Sequence, residues 1–156
     1  MVQIMEIYSP DEKSRICEET LRAFPEWFGN KAAIVDYTAQ VRDMPFYTAL
    51  IHGQEAGFVA VKKHNEYTAE VCVMGVRKEF HRQGIGRMLI ERTIELCRER
   101  GIEFVTVKTL DASREDAGYA NTRRFYHSMG FRLLEVFPKH WDEANPCLFM
   151  AMYLGE

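Results

Sequence analysis

The reading of this chain turns on Val76-Arg77-Lys78-Glu79-Phe80-His81-Arg82-Gln83-Gly84-Ile85-Gly86-Arg87. This stretch joins a strand-like apolar run, Tyr67 to Val76, to the clearest helical pattern in the sequence. In that helix, from about Gly84 to Arg100, Ile85, Leu89, Leu96 and Cys97 share one face, while Arg87, Glu91, Glu95 and Arg98 fall elsewhere. Gly101 supplies the stop. Free N–H groups at a helix start, together with the positive end of its dipole, suit a phosphate. Glycine lets the backbone approach a ligand closely, and Arg82 and Arg87 add charge-assisted contacts. Two other phosphate loops are excluded by spacing. Gly-Lys-Ser/Thr is missing, and the third glycine of a dinucleotide fingerprint would stand at position 89, which is Leu89. A plain tight turn leading into a solvated helix face fits the same residues, so spacing leaves both readings open.

Outward from this junction, Val2 to Tyr8 predicts a first strand and Ser9-Pro10-Asp11 a helix start. Ile16, Thr20, Leu21 and Phe24 continue that helix until Pro25, and a second helix is expected from about Lys31 to Arg42. Pro45 to His52 and Gly57 to Lys63 read as strands joined through Gly53-Gln54-Glu55. After the long helix, Ile102 to Thr109 is dense in β-branched residues and predicts a buried strand. A polar loop, Asp111 to Gly118, leads to a helix from about Tyr119 to Ser128, closed by Gly130. Phe131 to Phe137 and Cys147 to Leu154 read as the last strands. This order predicts a mixed α/β (α+β) domain, neither Rossmann nor bundle.

The 156 residues predict one domain, 1–156, and a hydrophobic fraction of 47% with 28% charged residues is enough to bury a core. A net charge of −3 argues against a general nucleic-acid binder, and Glu79 interrupts the basic run Arg77, Lys78, Arg82 and Arg87. No apolar run approaches the roughly 20 residues that span a bilayer, so no membrane partner is expected. The first residues lack the pattern of a secretory signal, which predicts a cytoplasmic protein. Cys17, Cys72, Cys97 and Cys147 form no close pair, as suits a reducing compartment. The five histidines are equally scattered, and no metal site is expected.

Arg82-Gln83-Gly84-Ile85-Gly86 resembles the pyrophosphate loop of the GNAT N-acetyltransferases, whose pattern is Arg/Gln-x-x-Gly-x-Gly/Ala. Thr122 to Phe131, Thr-Arg-Arg-Phe-Tyr-His-Ser-Met-Gly-Phe, is similar to that family's helix ending in Phe-Tyr-x-x-x-Gly-Phe. The two blocks stand in the family's order, with a helix and a strand between them. The resemblance implies a central mixed, mostly antiparallel sheet of six to seven strands flanked by helices. It also implies acetyl-CoA as cosubstrate, with no metal. Main-chain N–H groups from Arg82 through Gln83, Gly84, Ile85 and Gly86 to Arg87 would hold the pyrophosphate. The strand edge at Met74 and Val76 would pair with pantetheine, and the Met74 N–H would polarise the thioester carbonyl. Tyr126 takes the position of the usual general acid, and Glu70 aligns with the strand carboxylate that serves some relatives as base. His81 belongs to the loop but stands where Arg or Gln is usual. Tyr119 stands where relatives often carry Asn, with Asn121 out of register.

Each of these residues has a plainer role available. Tyr126 fits a helix aromatic packed on the sheet, although Phe125 is the better core candidate from sequence. Glu70 fits a solvent-facing strand position; Arg123 and Arg124, candidates for a CoA phosphate, fit exposed helical charges; and Trp141, a candidate for the acceptor site, fits a buried or lid aromatic. Cys147 has no histidine partner that would make it a nucleophile. The expected activity is direct transfer of acetyl from acetyl-CoA to a primary amine, with the acceptor recognised by Ser9 to Arg42 and the Phe137 to Pro146 loop. A non-catalytic acyl-CoA sensor is the alternative, and it would need neither Glu70 nor Tyr126. A homodimer is a further expectation, from the resemblance alone.

Overall fold

The computed structural model describes residues 1–24, 31–113 and 117–155. Seven strands and four α-helices alternate along them: β1 Val2–Glu6, α1 Pro10–Arg22, α2 Lys31–Gln40, β2 Phe46–Ile51, β3 Gln54–Lys63, β4 Thr68–Val76, α3 Ile85–Glu99, β5 Phe104–Leu110, α4 Ala117–Met129, β6 Arg132–Asp142 and β7 Asn145–Tyr153. Local chemistry sets many of these bounds. The Ser9 hydroxyl accepts from the Glu12 N–H at 3.3 Å, Pro10 opens α1, and Asp11 and Glu12 lie at its positive end. Pro25, expected to end this helix, lies outside the described residues. His52 and Gly53, with φ of 49° and 79°, form a two-residue hairpin turn. The turn is thus shorter than Gly53-Gln54-Glu55, and β3 starts at Gln54.

The strands form one mixed sheet in the order β1-β2-β3-β4-β5-β7-β6. Every neighbouring pair is antiparallel except β4 and β5, which α3 connects. That parallel ladder runs only from Thr68 opposite Phe104 to Val71 opposite Val107. Both strands continue beyond it without each other. The β3–β4 register shows why they part. Val61 faces Val71 while Ala60 faces Val73, so Cys72 is an extra residue on β4 and forms a bulge. A bulge bends and twists the strand that carries it, and here it turns β4 away from β5.

Two cores lie on the two faces of the sheet. On one, α3 and α4 cover Val59, Val61, Val71, Val105, Val107, Leu148 and Met150. On the other, α1 and α2 cover Phe46, Phe58, Ala60 and Val73, with the Phe46 and Phe58 rings stacked at 5.2 Å. The last strands depart from expectation. β6 runs to Asp142, not Phe137, and the segment read as a loop to Pro146 is mostly hairpin. Its turn is held by Asn145 Nδ2, which donates to both Asp142 carboxylate oxygens at 2.9 and 3.1 Å. Pro138 is tolerated because β6 is an edge strand, where a missing N–H costs little.

Candidate active site

The split between β4 and β5 is the centre of the site. The Arg77 N–H donates to the Ala56 carbonyl of β3 at 2.8 Å. Successive strand residues alternate the direction of their backbone groups. The N–H groups of Met74 and Val76 therefore point away from β3, into the split. These are two of the residues the resemblance assigned to pantetheine, and the register gives them a free hydrogen-bonding edge.

At the mouth of the split the chain makes a short 3₁₀ turn, Lys78–Phe80, and enters the loop before α3. Arg82 and Gly84 both have positive φ, 65° and 75°, and Gly84 caps the helix without a side chain. The Met88 N–H makes the first helical bond, to the Gly84 carbonyl at 3.1 Å. That leaves the N–H groups of Ile85, Gly86 and Arg87 without a partner among the described residues, directed out of the positive end of α3. Nothing lies within 4 Å of where a Cβ on Gly84 would stand, so the front of the loop is open. Gly86 has a different task. A Cβ there would stand 3.2 Å from the Phe125 ring, so this glycine seats α4 against α3. Ile85 is buried, while His81, Arg82, Gln83 and Arg87 are exposed. The His81 ring donates from Nε2 to the Val76 carbonyl at 2.7 Å, which ties the loop to the free edge of β4.

Tyr126 and Glu70 lie on opposite faces of the sheet. Tyr126, 6% exposed, belongs to the core under α3 and α4, between Phe125 at 5.4 Å and Phe131 at 5.5 Å between ring centroids. The order expected from sequence is reversed, since Phe125 is only partly buried. Burial, with the neighbouring Tyr119, pushes the Tyr126 phenol well above its ordinary range. It keeps its proton. Glu70 lies on the α1/α2 side, because its neighbours Ala69 and Val71 face the other core. It is 7% exposed, not solvent-facing. Lys108 Nζ stands 3.2 Å from each carboxylate oxygen, and His64 Nε2 stands 2.6 Å from Oε1. Neither partner was singled out from sequence. A lysine inside the β-branched run of β5 was the available signal, since lysine is seldom buried unless paired.

Other candidates resolve into structural parts. Arg123 donates to the Leu110 carbonyl at 2.6 Å and pins α4 to the end of β5, and Arg124 pairs with Asn121. Cys147 is buried, and burial pushes its thiol up to about 11, which disfavours a thiolate nucleophile. Trp141 is 42% exposed near the β6–β7 turn, its ring 5.9 Å from His140. Among the described residues no cluster of three His, Cys, Asp or Glu could hold a metal ion, and no helix is long and apolar enough to cross a membrane.

A sheet split after a bulged strand, with a free-N–H helix start at its mouth, sets a hydrogen-bonding strand edge beside a site suited to a phosphate. The family model of the Acetyltransferase (GNAT) family matches residues 1–131, and the chain belongs to that family. It is 29% identical over 120 residues to the uncharacterized N-acetyltransferase CT2212 of Chlorobaculum tepidum, covering 75% of this chain and 69% of that protein. To the uncharacterized N-acetyltransferase YvbK of Bacillus subtilis it is 25% identical over 101 residues, 62% of this chain and 61% of the relative. Among solved structures, Ard1 from Thermoplasma volcanium superposes with a TM-score of 0.76 at 22% identity over 99% of both chains. An aminoglycoside 6′-N-acetyltransferase complexed with coenzyme A gives 0.75 at 16% identity, covering 100% of this chain and 98% of that one. The ribosomal-protein-S18-alanine N-acetyltransferase of Escherichia coli gives 0.74 at 19%, covering 100% and 96%. At these identities the fold is what is shared.

Proposed function

We propose that this protein transfers an acetyl group from acetyl-CoA directly to a primary amine within one ternary complex. The observation that carries the reading is the free edge of β4, where the Met74 and Val76 backbone faces the split, with Glu70 and Tyr126 on opposite faces of the sheet. The N–H groups of Ile85, Gly86 and Arg87 bind the pyrophosphate, with Arg82 and Arg87 beside them. The β4 edge pairs with pantetheine. The acceptor enters from the α1/α2 side, between those helices and the β6–β7 hairpin.

Each chemical step is assigned one group. An amine is mostly protonated near neutral pH, and Glu70 takes that proton. The free amine attacks the thioester carbonyl, and the Met74 N–H stabilises the oxyanion that forms. When the intermediate collapses, the carbon–sulfur bond breaks, Tyr126 protonates the departing thiolate, and the second proton shed by the acetylated nitrogen restores the phenol. The acceptors in the neighbours' names, a ribosomal-protein alanine and an aminoglycoside, support an amine acceptor of either size class.

Calorimetric titration with acetyl-CoA, followed by thiol release against a panel of amines, tests the proposal. Binding with turnover sustains it. Binding without turnover on peptide or small-molecule amines favours a sensor instead, and absence of binding removes the pyrophosphate site.

A further inference from the structure

Glu70 does not meet the acceptor side alone. Lys108 stands one residue past the last β4–β5 pair, Val71 opposite Val107, so its ammonium reaches Glu70 across the opening of the split. His64 comes from the β3–β4 turn, where its N–H donates to the Thr68 carbonyl at 2.9 Å. Its side chain is 34% exposed and contacts Glu70 Oε1 at 2.6 Å. One ammonium and one imidazole thus share a nearly sealed carboxylate.

We infer that Lys108 and His64 are positioning residues that act through Glu70. Lys108 fixes both carboxylate oxygens, and His64 sets the net charge that an incoming ammonium acceptor meets. This rests on the transfer reading above. With a neutral ring the trio sums to zero. With a protonated ring it sums to +1, and a cationic acceptor is repelled at the point where Glu70 must receive it. The surrounding titratable groups are few. Lys62 lies opposite Glu70 on β3, and Cys72 lies next to it on β4. Asp36 and Tyr37 approach from α2, Tyr119 from α4, and Cys147 from β7. None of these groups is an imidazole, and His64 is the one that touches the carboxylate.

The tests use the full chain, acetyl-CoA and an alanine-initiated peptide, with an aminoglycoside as second acceptor. In the parent protein the acceptor KM rises as pH falls through the imidazole range, by up to about fivefold. In His64→Gln, which keeps a donor but cannot titrate, that rise is lost, while acetyl-CoA affinity is unchanged. In Lys108→Met the carboxylate is uncompensated and less fixed, so acceptor KM falls and kcat falls with it. Lys108→Arg restores the parent values. A pH dependence of KM that survives His64→Gln, or a rise of acceptor KM in Lys108→Met, overturns the inference. A chain that binds acetyl-CoA but acetylates neither amine fails the transfer reading instead. The coupling is then read directly by histidine-ring NMR, in which Lys108→Met raises the titration midpoint of His64. An unmoved midpoint overturns the inference without reference to turnover.

Discussion

The ring of His81 donates to the carbonyl of Val76 across 2.7 Å, and that carbonyl belongs to the free edge of β4. A pantetheine arm paired along this edge meets a position already taken. Replacing the ring frees the carbonyl for the arm's own amide. His81→Ala is therefore expected to tighten acetyl-CoA binding about two- to fivefold, the size of one net hydrogen bond. Calorimetry measures it directly. Weaker binding would show instead that the ring itself holds the cosubstrate.

Gly86 touches the face of α4. A methyl group there stands 3.2 Å from the Phe125 ring, closer than ordinary contact. Gly86→Val is expected to destabilise the fold by roughly 1–3 kcal/mol through overpacking. Combining it with Phe125→Leu should recover much of the loss in thermal unfolding. Full additivity of the two changes would place the strain elsewhere.

Tyr126→Phe separates chemistry from packing. The rings of Phe125 and Phe131 still pack on the new phenyl, so unfolding at neutral pH should change by less than about 1 kcal/mol. Turnover is expected to fall about a hundredfold with acetyl-CoA affinity retained, the scale of one lost acid–base group. The same phenol predicts an alkaline effect. Burial raises its folded-state pKa above the unfolded value near 10. Its contribution to stability is complete below that value and is lost as pH rises toward the folded pKa. Alkaline unfolding should therefore come at higher pH in the phenylalanine variant, and identical midpoints would contradict this.

Cys147 offers a control. Its thiol is buried and pushed up to about 11, so Cys147→Ala should keep turnover within about twofold and cost about 1 kcal/mol of stability. Intact-mass spectrometry after mixing with acetyl-CoA should show no acetylated chain.

The long α3 and strand β5 are legible because their signals are local, whereas the free edge of β4 follows in the sequence only from the family resemblance. A helical apolar face, a glycine at the cap and a β-branched run each specify their own backbone. The contacts of Glu70 were not legible, since Lys108 lies on a parallel strand and His64 across a turn, and no spacing rule connects them. The identity of the buried aromatic was misread for a similar reason. Phe125 and Tyr126 are adjacent on α4, and only the position of Phe131 and the glycine at 86 decides which one the core receives. β6 runs past Phe137, where the sequence reading ends the strand, and Pro138 is accommodated because β6 is an edge strand.

The single unmatched residue at Cys72 also has an arithmetical consequence. In a regular strand, positions four apart show their side chains on the same side. Counting Cys72 as a slip of one, Glu70 and Met74 fall on opposite sides. One strand therefore has two parities, and under the proposed roles the base stands before the slip and the oxyanion's backbone donor after it. Changes that adapt the chain to a new amine can accumulate on the first parity while the second stays in phase with the cosubstrate. Removing one residue there would do more than straighten a strand; it would put the Glu70 and Met74 side chains on the same side of the sheet.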